Sequence, residues 1–196
     1  MTDEQKTIYA IGVFLYKRDN LSGFNLTPAE LELVKKGISD AAAGKPAVNL
    51  DVEGPKLQPF LDSRTKAAGA AYLAKAATQP GFVKTASGLL YKEERAGAGP
   101  SPKPTDTALV NYRGTFTNGT EFDSSYKTGK PVPLPLTGVI PCWTEALQKM
   151  KVGGKASLVC PYQIAYGETG RGTIPGFSTL LFDVELVAIN PPAAGK

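Results

Sequence analysis

The chain has 196 residues, enough for one large domain or two small ones, and with 42% hydrophobic and 20% charged residues it is too apolar for a disordered polymer. Its net charge of +4 is spread over dispersed lysines and arginines, with no basic block to track a phosphate backbone, so no nucleic-acid partner is expected. Histidine is absent and the only cysteines are Cys142 and Cys160, which removes Ser-His-Asp, Cys-His and histidine-metal chemistry and with it most hydrolase readings.

Residues 1–80 read as helical. Ile8, Ile11, Leu15 and Arg18 fall at helical spacing, and Val13 and Phe14 widen the apolar side. The longest apolar run, Ile8 to Tyr16, contains Gly12, closes on Lys17-Arg18-Asp19 and falls well short of the roughly 18 residues that span a bilayer, so no membrane span is expected. No signal peptide is expected in these residues; Met1-Thr2-Asp3 reads equally as a native start or as a start placed on a mature secreted chain.

A loop is expected over residues 20–25. Thr27-Pro28-Ala29-Glu30 then predicts a capped helix start, with Thr27 as cap, Pro28 in the first position and Glu30 reaching back. Leu31, Val34, Ile38 and Ala41 share a face, and Gly44 and Pro46 end that helix. A third helix is predicted from near Pro55, with a stripe of Leu57, Phe60, Leu61, Arg64, Ala68, Ala71 and Tyr72, stopped by Gln79-Pro80-Gly81. Such a segment buries little of its own surface, and the apolar stripe left over predicts a homodimerisation module.

From Val83 the period changes to strand. After a Gly/Pro-rich stretch, Ala96 to Pro104, Leu109 to Phe116 reads as a strand, Asn118-Gly119 as a hairpin turn and Thr120 to Phe122 as the returning strand. Val132, Leu134 and Leu136 alternate with Pro131, Pro133 and Pro135, which fits only an edge strand or an irregular extended segment. Thr144 to Met150 reads as a short helix, Lys155 to Cys160 and Leu180 to Ile189 as strands. The expected class is α+β: an antiparallel sheet with one short helix laid against it, preceded by an all-α module.

Taken singly, Trp143, Phe122 and Phe182 read as core residues, Tyr112 and Tyr166 as half-buried tyrosines, and Asp123-Ser124-Ser125 as a turn. Their joint order is more specific. Asn111-Tyr112-Arg113-Gly114-Thr115, Glu121-Phe122-Asp123-Ser124-Ser125, Val139-Ile140-Pro141-Cys142-Trp143, Ala165-Tyr166-Gly167 and Leu181-Phe182-Asp183-Val184-Glu185-Leu186 follow one another with one aspartate among the aromatics. From Asp106 to Asn190 this order closely resembles the FKBP-type peptidyl-prolyl isomerases, and the helical segment is similar by pattern and position to the dimerisation module of their Mip/FkpA-like bacterial members.

The resemblance implies a half-open antiparallel sheet wrapped around a short helix, with a pocket between them. It divides the chain into a helical dimerisation module (1–80), a connecting strand and linker (81–105), an isomerase domain (106–190) and a disordered tail (191–196). It makes Tyr112, Asp123, the Ile140 amide and the Tyr166 hydroxyl the catalytic groups, and Phe122, Val132, Val139, Trp143, Ile174 and Phe182 the groups that bind substrate, with Trp143 under the proline ring. The implied substrates are unfolded or proline-containing polypeptides, with no cofactor and no metal. The implied place is the periplasm or cell envelope if a signal peptide has been removed, and otherwise the cytoplasm. Such a site needs no covalent step, because the barrier of about 18–20 kcal/mol to peptide rotation is resonance lost at the twist, and binding the twisted amide lowers it.

Val132 stands where many members carry phenylalanine, Cys142 where glycine is usual, and Thr128 near where some carry an arginine partner for the aspartate. Arg171 and Thr173 lie in the loop where macrolide-binding members often carry histidine and isoleucine; tacrolimus and rapamycin remain candidate ligands. The departures at Val132 and Arg171 keep open a chaperone or peptide-binding module with little isomerase turnover. The cysteines read either as two buried thiols or, in an oxidising compartment, as a disulfide from the short helix to the strand beneath it.

Overall fold

The structure is a computed structural model and describes residues 1–18 and 21–191. Residues 192–196 of the expected tail, and Asn20 of the expected loop, lie outside the described residues. Two compact units divide between Thr65 and Lys66.

The first unit holds α1 (Asp3–Arg18), a 3-10 turn over Leu21–Phe24 where a loop was expected, α2 (Pro28–Ala42) and the first part of α3 (Leu50–Ala77). Thr2 and Gln5 cap α1 reciprocally, and no α1 side chain is buried. At α2 the predicted box forms: the Glu30 amide donates to Thr27 Oγ1 (3.3 Å) and the Thr27 amide to Glu30 Oε2 (2.7 Å). Arg64 ties the same corner together, donating to Glu30 Oε1 (2.6 Å) and to the Asn25 carbonyl (2.7 Å). The α3 helix starts earlier than Pro55 predicts. Asn49 Oδ1 accepts the Asp51 amide at 2.8 Å and begins the helix at Leu50, leaving Pro55 and Pro59 inside it. No helix among the described residues is long and apolar enough to cross a membrane.

The second unit is built on β1 (Val83–Lys84), β2 (Leu90–Arg95), β3 (Thr107–Phe116), β4 (Glu121–Ser124), β5 (Val132–Pro135), β6 (Lys155–Cys160) and β7 (Leu180–Ile189). The antiparallel order is β1-β2-β6-β7-β3-β4, with β5 also on β3. This is the expected α+β sheet. The short helix, α4 (Pro141–Lys149), starts before Thr144 because Pro141 is pre-set for the first helical turn.

Alternation decides the two faces. On one, Ala108, Val110, Leu158, Phe182, Val184 and Leu186 pack with Cys142, Trp143, Ala146 and Leu147 of α4. On the other, Leu90, Val159 and Leu181 meet Tyr72, Leu73 and Ala76 of the last turns of α3. Cys142 and Cys160, both fully buried, are joined as a disulfide with Cα atoms 5.9 Å apart, pinning the start of α4 to the end of β6.

The second edge of β3 is shared. Residues 107–110 pair with β5, and 113–115 with β4. Asn111 and Tyr112 fall in the gap between the two partners, and it is there that the sheet opens.

Candidate active site

The gap leaves the backbone of Tyr112 without a strand partner on that side, and a backbone group buried without a partner costs about 1–3 kcal/mol. Two serines take over. The Tyr112 amide donates to Ser125 Oγ (2.9 Å), and the Ser124 and Ser125 hydroxyls donate to the Tyr112 carbonyl (3.2 and 3.3 Å). Both serines are buried, so Ser124-Ser125 is more than a turn: it splints β3 where its partners change.

From this splinted position the Tyr112 ring meets Trp143 edge-on, with centroids 5.2 Å apart at 86°. Trp143 meets Phe182 at 5.2 Å and 89°, and Phe182 meets Phe122 at 5.7 Å and 89°. Each contact is edge-to-face, the arrangement aromatic quadrupoles favour. Gly114, one of the motif residues given no role above, makes it fit: a Cβ there would stand 2.6 Å from Phe122 Cζ and 3.0 Å from Phe182 Cε1. Only a residue without a side chain lets both rings close over β3.

Trp143 is fixed from below. It follows the disulfide residue, its amide bonds the Ile140 carbonyl (2.9 Å), and Thr144 Oγ1 donates to the Leu136 carbonyl (2.9 Å). Ile140 precedes the helix in extended conformation, and its amide donates to no protein acceptor among the described residues.

The resulting cavity, about 190 Å³, is walled by Tyr112, Phe122, Trp143, Tyr166 and Phe182, with Val139 and Ile140 at one side. It is smaller than the roughly 300–1,000 Å³ of sites that enclose drug-sized ligands, and suits one ring. Asp123 is its only anion. Tyr112 Oη donates to Asp123 Oδ2 at 2.5 Å, and the Ser124 amide to Oδ1 at 2.8 Å. Burial and then the Asp123 carboxylate push the Tyr112 phenol well above its ordinary range, so it stays protonated and remains a donor.

The structure thus brings Tyr112, Phe122, Asp123, Val139, Ile140, Trp143, Tyr166 and Phe182 together. It does not place Val132 or Ile174 in the lining. Val132 pairs with Val110 at the sheet edge and is not among the lining residues; Leu134, further along β5, lines the cavity instead. Ile174 packs against the core. Leu134, Gly138 and Arg171 complete the lining. The alternation that marked the proline-rich edge pointed at Leu134, but nothing in the sequence distinguished it from Val132. Among the described residues no three acidic or cysteine side chains gather to hold a metal.

The second unit is a half-open sheet closed by one short helix around an aromatic pocket, with no nucleophile-base pair among the described residues that line it. Residues 99–187 match the family model described as FKBP-type peptidyl-prolyl cis-trans isomerase, and residues 4–92 the model of the domain amino-terminal to it. The chain belongs to the FKBP-type peptidyl-prolyl cis-trans isomerase family. It is 40% identical to the FkpA isomerase of Aeromonas hydrophila, over 97% of this chain and 78% of the relative. It is also 40% identical to the FKBP-type 22 kDa isomerase of Escherichia coli K12, over 96% of each. The crystal structure of Escherichia coli FkpA superimposes with a TM-score of 0.64 at 38% identity, covering 97% of this chain and 98% of that one.

Proposed function

We propose that the cavity between β3, β4 and α4 is where this isomerase accelerates rotation about X-Pro bonds, with the proline ring seated on Trp143. The edge-to-face wall of Tyr112, Trp143, Phe182 and Phe122 carries this reading, because it offers an apolar seat for a proline ring in a cavity open on one side. The Ile140 amide and the Tyr166 hydroxyl hold the flanking carbonyls. Asp123, braced by Tyr112, faces the carbonyl that loses conjugation as the bond twists. Charge separation in the planar amide is disfavoured by the apolar wall, and preferential binding of the twisted form lowers the barrier, each 1.36 kcal/mol being about tenfold in rate. An isomerisation assay on a short X-Pro peptide tests the assignment: wild type accelerates interconversion and Asp123→Ala loses most of it. Equal rates for the two would remove Asp123 from the mechanism.

The helical segment is proposed to dimerise. Ile8, Ile11 and Phe14 of α1 are 60%, 58% and 62% exposed, an apolar face that a second copy would cover. Two pockets on one dimer raise the effective concentration for an extended client and add chaperone action on unfolded chains. The buried disulfide fits an oxidising compartment, which supports a place in the bacterial envelope. Thiol trapping in intact cells tests that placement; two free thiols would overturn it.

A further inference from the structure

Arg171 is the only cation among the lining residues and has no part in the grip on the proline ring proposed for its neighbours. Its guanidinium lies over the Tyr166 ring, 6.0 Å from the centroid. Its backbone is held in a closed turn: the Arg171 amide donates to the Ile174 carbonyl (2.9 Å), and the Ile174 amide to the Arg171 carbonyl (3.0 Å). The turn runs through Gly172 at φ +57, a conformation that favours glycine. Arg171 is therefore presented at the pocket by a short braced hairpin.

The two charges of the pocket are answered unequally. Each Asp123 oxygen accepts one hydrogen bond from its own wall, from Tyr112 Oη and from the Ser124 amide. No carboxylate among the described residues pairs with Arg171, whose side chain meets the face of the Tyr166 ring. A guanidinium stacked on an aromatic ring keeps its N–H edge for an anion, and its planar fork matches a carboxylate. A polypeptide threaded past Tyr166 meets that edge.

We infer that Arg171 is a specificity-determining residue that makes the pocket prefer prolines flanked by an acidic side chain, Asp or Glu. This rests on the isomerase reading of the same pocket. Arg171 is exposed, so the preference is that of a solvent-screened pair, about two- to fivefold in kcat/KM.

The test compares peptides that differ only in the residue before proline (Glu, Gln or Lys), with a second set varied after it. Isomerisation is followed for wild type, Arg171→Gln, Arg171→Lys and Arg171→Glu. Preferences are taken as ratios within each variant, so a general loss of activity cancels. The expected result is a Glu-over-Gln ratio of about two to five in at least one set, kept by Arg171→Lys, near one in Arg171→Gln, and reversed towards Lys in Arg171→Glu. In wild type the ratio shrinks as salt rises from about 0.01 M to about 1 M, where the screening length falls from about 30 Å to about 3 Å. A ratio of one in both sets, or one that survives Arg171→Gln, overturns the inference. Failure of wild type to accelerate even the Gln peptides would instead overturn the isomerase reading, so the two failures are distinguishable. If Arg171→Gln loses all activity, the salt dependence of the wild-type ratio decides alone.

Discussion

At the scale of single residues, the site is a set of close approaches that small or polar side chains permit. Asp123 is held by two hydrogen bonds, one from a phenol whose burial and carboxylate neighbour keep it protonated. Tyr112→Phe removes one of the two and leaves the aromatic wall; kcat/KM is expected to fall roughly tenfold, and the melt to shift by no more than the about 1.5–3 kcal/mol that a hydrogen bond to a charged group contributes to folding. Gly114→Ala acts differently. A methyl group 2.6 Å from Phe122 and 3.0 Å from Phe182 forces both rings away, so it should lower activity and stability together, by about 1–3 kcal/mol in a thermal melt. Tyr112, Phe122, Asp123, Trp143, Tyr166 and Phe182 each sit in a short motif, and the family resemblance those motifs carry pointed to the residues that line one cavity in the fold. The role of Gly114 was not legible, since it depends on two rings that lie apart in sequence and meet over its Cα only in the fold.

At the scale of elements, the exchange of partners along β3 shapes the pocket. A strand that gives one edge to β5 and then to β4 leaves a peptide unpaired between them, and Ser125 supplies the missing donor and acceptor. Ser125→Ala is expected to destabilise the fold by about 1–3 kcal/mol and to lower activity through Tyr112, although Ser125 itself does not line the cavity. The Cys142–Cys160 bridge closes a separation of 18 residues, for which chain entropy gives about 3 kcal/mol. The double variant Cys142→Ala, Cys160→Ala should melt at a correspondingly lower temperature than the oxidised wild type. Alternation and turn residues made β6, β7 and the capped start of α2 readable. The early start of α3 was not: Asn49 caps it, while Pro55 looked like a first-turn proline. The exchange of partners on β3 was equally hidden, because period-2 patterning shows that a strand exists and not which strand lies beside each part of it.

At the scale of the whole molecule, two features reach beyond the pocket. Glu30 is the first. Its hydrogen bonds with the Thr27 backbone, then with the Thr27 side chain and Arg64, hold its carboxyl below the ordinary value of 4.5. A depressed carboxylate stabilises the fold above its unfolded pKa, and that contribution is lost as pH falls through the folded value, so the window lies below 4.5. Glu121 and Asp106 of the sheet unit are lowered in the same sense by their own partners. Thermal stability should therefore fall on acidification, and Glu30→Gln should flatten that dependence in the helical signal; an unchanged profile would count against the capping network as its source. The second feature is the exposed apolar face of α1. Light scattering should give twice the 20.7 kDa chain mass, and Ile11→Glu with Phe14→Glu should return it to the single-chain value.

Isomerisation of X-Pro bonds by the aromatic pocket without covalent chemistry has a direct kinetic signature. Its most direct measurement is the cis–trans relaxation of a Leu-Pro peptide, normally tens to hundreds of seconds, in the presence of catalytic amounts of the chain. Strong acceleration is expected from wild type, and relaxation near the uncatalysed rate with Asp123→Ala and with Trp143→Ala. Relaxation at the uncatalysed rate with wild type, or undiminished acceleration by both variants, would contradict it.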